Sequence, residues 1–464
     1  MSALRSLKLV ALAALASFVV ACEEAPPPVV APQPPAEPAP PEAPADPAPV
    51  TEGDTTLAYA DGIKVLVKRI PGAEFTSTRL YIDGGVANWT PDQGGVERLA
   101  LGVAATGGTA SMPKEAFSRK LSSLGSDLAW DTGLDFSSLR ARSLTVKWDE
   151  TMAMLVDAFL HPALPDSEIE VWRARQLSTL RHEQDDPDQL LRFIVHKQVF
   201  AGHPYSNRSI GTTESVTKLD KTALEVHLAK LREKGRLLVV VAGDVDPAHV
   251  VETVTKALGS LPRGNYHRAP LPKLAFDKPK LDIENKKLPT NYIEATFPVP
   301  TWSDPDLGEA VVAMSILSHR LFEEVRTKRN LSYAVSAWTS PGPLVNTGGL
   351  YVTAVDPAAT WKVMLDEVRS LQKEPVGDAE LNGTKATYLT RFLMGHETTE
   401  GQSGFLASAE LVGGDFRLAK GLPDRIRAVT AAGVQAFAKK YLEHLQLVVV
   451  GDPTKIDRKL FESL

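Results

Sequence analysis

Apolar and polar residues alternate over 63–70 (IKVLVKRI), the two-residue period of a half-buried strand, and a second strand is predicted over 76–83, ending at Gly84-Gly85. A helix is predicted to start within 95–105, and further helices over 113–124, 150–160, 166–183, 189–200, 221–234 and 247–258. Asp166 or Ser167 serves as the N-cap of the longest of these. Strands are predicted over 126–131 and 136–147, and 237–241 is a continuous apolar strand that stops at Gly243-Asp244.

The second half repeats this order. LLVVVAGDVDP from Leu237 is matched by LQLVVVGDP from Leu445; each run follows a helix and leads into a final one. The strand end and helix from Thr145, containing MAMLVDAF, is matched from Thr353 by the helix WKVMLDEVRSL. Asp166-Ser167-Glu168-Ile169 and Asp378-Ala379-Glu380-Leu381 each open a long helix. A nearly constant offset over several elements is the signature of duplication. The expected fold is α+β, with two homologous domains, each a mixed β-sheet packed by helices, at 55–262 and 290–464. A polar linker at 263–289 carries Pro270, Pro272, Pro279 and Pro289.

A chain of 464 residues exceeds what one core usually supports, in keeping with that division. A net charge of −6 with mixed signs leaves no basic footprint for nucleic acid. The single cysteine, Cys22, excludes an internal disulfide and a thiolate metal cluster. Cys22 closes a segment with Arg5 and Lys8 at its start and an apolar run over 9–20, too short for a comfortable membrane span. Val19-Val20-Ala21-Cys22 resembles a bacterial lipobox, in which the cysteine is lipid-modified and becomes the new N-terminus. Residues 1–22 are then a lipoprotein signal peptide, and the expected location is the bacterial cell envelope, periplasmic side. The alternative is an ordinary secretory signal with an incidental cysteine. Residues 25–50 hold 12 of the 34 prolines. Such a composition builds no core, so 23–54 is expected to be a disordered tether reaching roughly 80–90 Å at about 3.1 Å per residue.

Three local stretches carry a family resemblance. They are Gly202-His203-Pro204 with Ile210-Gly211-Thr212-Thr213-Glu214-Ser215-Val216, HRLFEEVRTKRNLSYAV from His319 to Val335, and ELVGGD from Glu410. Together they resemble the pitrilysin/insulinase family of zinc metallopeptidases, which includes the mitochondrial processing peptidases. The resemblance spans nearly all of 55–464 and implies a LuxS/processing-peptidase-like metallopeptidase fold. Active members carry H-x-x-E-H plus a distant Glu. Two His at i and i+4 present nitrogens to one metal, and the Glu at i+3 reaches its water. In GVERLALGVAATGGT (95–109), alignment on Gly95 and Gly107 puts Arg98, Leu101 and Gly102 at the His, Glu and His positions. Counting back from His196 and the Gly202 stretch puts Thr179 at the distant Glu. Leucine cannot polarise water, glycine offers no ligand and Arg98 repels a cation. The stretch has no histidine, and Glu97 is its one carboxylate. No metal or cofactor is expected in this chain.

The resemblance also implies a role for Arg326 and Tyr333. They match an Arg–Tyr pair that holds substrate backbone and helps stabilise the tetrahedral intermediate; both offer hydrogen-bond donors to an oxygen gaining negative charge. By residue type alone they would be a helix-end cation and a half-buried strand aromatic. Some bacterial members work as pairs, one subunit with the zinc motif and the other with the Arg–Tyr pair. This sequence has the second pattern. The expectation is a lipid-anchored, non-catalytic subunit whose homologous partner, with an intact H-x-x-E-H, supplies zinc, acting on peptide substrates. The alternatives are an inert scaffold or binding protein, as in the family's respiratory-complex subunits, and a peptidase with an unusual metal site. His396-Glu397-Thr398-Thr399-Glu400 lacks the second His of H-E-x-x-H and reads as a solvated helix face. His182-Glu183 reads as a charged helix end and His203 as structural. No G-x-S-x-G or G-x-x-x-x-G-K-[ST] motif occurs.

Overall fold

A computed structural model describes residues 46–339 and 342–464. The predicted signal segment, Cys22 and most of the predicted tether lie outside the described residues. Residues 46–464 form one compact unit holding two sheets.

The strands are β1 (Val50–Glu52), β2 (Thr55–Ala60), β3 (Ile63–Arg69), β4 (Phe75–Asp83), β5 (Asp127–Thr132), β6 (Phe136–Leu144) and β7 (Leu237–Gly243) in the first half. In the second half they are β8 (Lys280–Asn285), β9 (Asn291–Pro298), β10 (Val335–Trp338), β11 (Thr347–Ala354) and β12 (Gln446–Gly451). The first sheet runs β1-β2-β3-β7-β4-β6-β5 and the second β10-β11-β9-β12-β8. Read from β3 and from β8, the pairings match: parallel, then antiparallel three times. The duplication in the sequence is therefore a duplication of topology, and the fold is α+β with two domains of mixed sheet and helices.

Two elements lie where tether and linker are expected. β1 falls inside 23–54, folded back on β2 through the turn at Gly53-Asp54, with Gly53 at φ +63°. β8 falls inside 263–289 and pairs in parallel with β12. β1 is three residues long and exposed, too short to show a hydrophobic period; β8 does alternate, with Leu281 and Ile283 turned to the core, but over only six residues among prolines and charges.

The apolar runs β7 and β12 are buried throughout because both faces of each sheet are covered. Val239 and Val241 of β7 pack with their own domain's helices, Val96–Thr106, Trp148–Leu160, Lys221–Leu231 and Pro247–Leu258. Leu238 and Val240 join the core of the second domain. β12 does the reverse: Leu447 and Val449 face their own core, whereas Val448 and Val450 pack with Leu190, Leu191 and Val195 of the first-domain helix Pro187–Val199. Each domain thus lends a helix to the other's sheet, the second through Thr399–Gly413. That helix brings Ser403 to Ser77 (3.1 Å) and Glu400 to Arg79 (3.1 Å) and Arg140 (2.7 Å).

Candidate functional site

The helix Val96–Thr106 starts at Gly95, in left-handed backbone at φ +86°. A Cβ there would stand 2.5 Å from Gln176 Nε2 and 2.8 Å from the Ile210 carbonyl, so only glycine fits. The Gly211–Val216 stretch clamps this start. Ser215 Oγ donates to the Gly94 carbonyl at 2.8 Å, and Ser215 N–H to Thr212 Oγ1 at 3.1 Å. Gln176, from the long helix Asp166–Asp185, donates to the Gly95 (3.2 Å) and Ile210 (2.8 Å) carbonyls. One part of the sequence resemblance thus holds one helix start in place.

That helix cannot hold a metal. Leu101 has no exposed surface and belongs to the core. Gly102 faces two rings: a Cβ there would lie 3.2 Å from Trp130 of β5 and 3.4 Å from Trp172 of the long helix. The two rings meet edge-on at 4.6 Å, Trp172 Nε1 donates to Thr106 Oγ1 at 2.8 Å, and Arg175 lies 4.6 Å over the Trp172 ring. An imidazole at 102 has no room, and Arg175 over the Trp172 ring opposes a divalent ion there. Arg98 is half-buried and has no hydrogen-bond or ion-pair partner among the described residues. Thr179 is exposed, its hydroxyl donating to its own helix at the Arg175 carbonyl (3.1 Å). From the long helix, Trp172 bonds to Thr106 and Gln176 to Gly95, whereas Thr179 makes no hydrogen bond to Arg98 or Gly102. The residues present do not fit zinc, and no cluster of three potential ligands occurs among the described residues.

Glu97 has a different use, not legible in the sequence. It is 1% exposed, accepts from Ser137 Oγ, and pairs with His227 Nε2 at 2.8 Å. Its partners lie 40 and 130 residues away, on β6 and on the helix Lys221–Leu231, so no local motif announces them.

Arg326 and Tyr333 are brought together. The helix Leu307–Leu321 continues into a π-helical turn, Phe322–Thr327, in which the Glu323 carbonyl accepts from Lys328 N–H at 2.9 Å. The chain reverses at Asn330, φ +51°, and Leu331 N–H donates back to the Val325 carbonyl at 2.8 Å. This reversal lays the Tyr333 ring 3.9 Å from the Arg326 guanidinium carbon, which also lies 4.8 Å from the Phe322 ring. Such stacking holds a guanidinium plane without using its N–H groups. Tyr333 is 79% exposed. Among the described residues neither its hydroxyl nor the Arg326 N–H groups has a hydrogen-bond or ion-pair partner. The pair joins a half-buried guanidinium, flanked by two rings, to an exposed phenol, and neither group's donors are committed among the described residues.

The remaining candidates are structural. His396 packs against Phe392 (4.1 Å) and Phe405 (4.3 Å), and its Nδ1 meets the Phe392 carbonyl at 2.5 Å, whereas Glu400 pairs with Arg79 and Arg140. These two do not form a metal site. Glu183 pairs with Arg208. His203 uses both ring nitrogens, toward Tyr205 N–H and the Pro272 carbonyl, each at 3.0 Å. His196 is pushed down to about 4 by burial, then by Arg208, and stays neutral at pH 7.

Known proteins resemble both halves of the chain. The family profile described as "Insulinase (Peptidase family M16)" matches residues 64–213, and "Peptidase M16 inactive domain" matches 218–388. The Helicobacter pylori protein named "Non-peptidase homolog YmxG" is 24% identical over 297 residues, 62% of this chain and 67% of that protein. An uncharacterised zinc protease of Mycobacterium bovis is 25% identical over 324 residues, 67% of this chain and 73% of that protein. The crystal structure of a peptidase M16 inactive domain from Pseudomonas fluorescens superimposes with a TM-score of 0.78 at 19% identity, covering 86% of this chain and 98% of that one.

Proposed function

Because this chain belongs to the insulinase family of peptidases, M16, and carries its inactive-type domain, we propose that it is a lipid-anchored, non-catalytic subunit of a heterodimeric zinc peptidase. A homologous partner with an intact H-x-x-E-H supplies the metal and the general base. This chain supplies Arg326 and Tyr333, which hold the backbone of an unfolded peptide and donate to the carbonyl oxygen as it gains negative charge. The observation that carries the reading is the stacked Arg326–Tyr333 pair, its donors unpartnered among the described residues, in a chain whose own helix Val96–Thr106 does not fit zinc. An inert scaffold has no use for an exposed phenol stacked on a guanidinium whose N–H groups are left without partners. Lipidated Cys22 and the proline-rich segment tether the subunit in the cell envelope, on the periplasmic side.

The test is reconstitution with an M16 chain from the same genome that has H-x-x-E-H, assayed on quenched peptides. Arg326→Ala and Tyr333→Phe should leave the complex assembled and lower kcat/KM about 10²–10³-fold, as loss of an oxyanion donor does. Full cleavage by both variants would leave the scaffold reading in its place. Cys22→Ser should move the chain from the membrane to the soluble fraction.

A further inference from the structure

The packing that keeps His396 out of a metal site frames a pocket instead. Where the helices Asp378–Gly395, Thr399–Gly413 and Arg417–Ala428 meet the β1–β2 turn lies a cavity of about 540 Å³. Phe392, Phe405, Leu406, Phe416, Ala419 and Pro423 wall it. The Phe405 ring stands edge-on to Phe392 at 5.1 Å and to His396 at 4.3 Å. Walls of this kind take an apolar body, and cavities of about 300–1,000 Å³ suit small-molecule ligands.

Two polar groups on these walls are uncommitted. The Phe392 carbonyl can only accept, so His396 Nδ1 carries the hydrogen between them. His396 Nε2 then has no hydrogen-bond partner among the described residues, and neither has the side-chain amide of the half-buried Gln402. At the solvent edge stand two ion pairs, Lys68–Asp54 and Lys420–Glu52, each at 2.7 Å. Both carboxylates lie on the exposed β1–β2 hairpin. Exposed pairs hold weakly, so either ammonium can turn to another anion.

We infer that this pocket binds a free fatty acid, its aliphatic chain among the phenylalanines and its carboxyl group at His396 and Gln402. A carboxylic acid suits Nε2 in either form: its O–H donates to the bare nitrogen, and the carboxylate accepts from Nε2–H once the proton has passed. Its other oxygen accepts from the Gln402 amide, and Lys68 and Lys420 favour the negative charge. An apolar peptide ending in a carboxylate suits the pocket less, because its backbone N–H and C=O groups outnumber the two uncommitted side chains. The pocket shares no residue with the Arg326–Tyr333 pair and does not depend on the function proposed above.

The experiment uses the full chain, freed of detergent and bound lipid, with cis-parinaric acid, a fatty acid whose fluorescence rises in an apolar site. Binding should be saturable. Dodecanoic acid should displace the probe about tenfold more strongly than methyl dodecanoate does, the effect of one charge-assisted hydrogen bond. Phosphatidylcholine vesicles, whose chains are ester-linked, should compete no better than the methyl ester. His396→Phe keeps a ring in the aromatic packing and should bring acid and ester together. Ala419→Phe, which fills the cavity, should weaken probe binding at least about tenfold. Gln402→Trp gives the same reading if Ala419→Phe does not fold. No saturable binding, equal displacement by acid and ester in the wild type, or unchanged binding by a folded filled variant overturns the inference. Displacement by an acetylated trileucine peptide as strong as that by dodecanoic acid would also overturn it, in favour of a peptide C-terminus.

Discussion

Trp172 stands edge-on to Trp130 at 4.6 Å, in the space that a side chain on residue 102 would enter. The relation has a consequence for any attempt to restore the metal site. Arg98→His, Leu101→Glu and Gly102→His together should give a chain that binds no stoichiometric zinc by mass spectrometry. They should also lower stability in urea, since Leu101 lies in the core and overpacking alone costs about 1–3 kcal/mol. Bound zinc near one per chain would show that the tryptophans move aside.

Glu97 is a structural acid. Glu97→Ala leaves His227 and Ser137 without their shared partner in a buried site. The expected loss is about 3 kcal/mol of unfolding free energy, with Glu97→Gln losing less because it keeps an acceptor. Chemical denaturation measures both, and an unchanged midpoint for the alanine variant would contradict this role.

Gly95→Ala is expected to destabilise by more than the usual helix-end change. The backbone at φ +86° disfavours any Cβ, and the new atom would meet Gln176 and Ile210. A loss of about 2 kcal/mol or more in thermal or urea unfolding is predicted.

Glu294 makes stability depend on pH. It lies on β9 beneath the first-domain helix Pro187–Val199, and its carboxyl is raised from 4.5 to about 7, by burial first, with Arg192 opposing and Asp188 adding. Below about pH 4.5 both folded and unfolded chains hold this proton. As pH rises toward 7 the folded chain keeps a proton that the unfolded chain has released, so the stabilisation is lost through that window. Glu294→Gln should flatten unfolding free energy between pH 4.5 and 7 and gain about 2–3 kcal/mol at pH 8. A parallel pH profile for wild type and variant would refute the assignment.

Much of the architecture is legible along the chain because repeated elements leave repeated patterns. The runs LLVVV and LQLVVV mark β7 and β12, and the helix-opening Asp166 and Asp378 mark the long helices. The short strands β1 and β8 escape this reading: β1 is exposed and three residues long, and the alternation of β8 is confined to Leu281 and Ile283 within a polar, proline-bearing stretch.

The sequence by itself determined that Arg98, Leu101 and Gly102 offer no zinc ligand, because ligand chemistry belongs to the side chain wherever it is placed. It also carried the duplication and the spacing of Arg326 from Tyr333. Only the tertiary structure decided that a π-helical turn and the reversal at Asn330 stack that pair. The same holds for Trp172, which reaches across from another helix to fill the space beside Gly102. Contacts between residues tens to hundreds of positions apart are set by how helices and sheets pack, and a one-dimensional pattern holds no record of which distant ring fills which space.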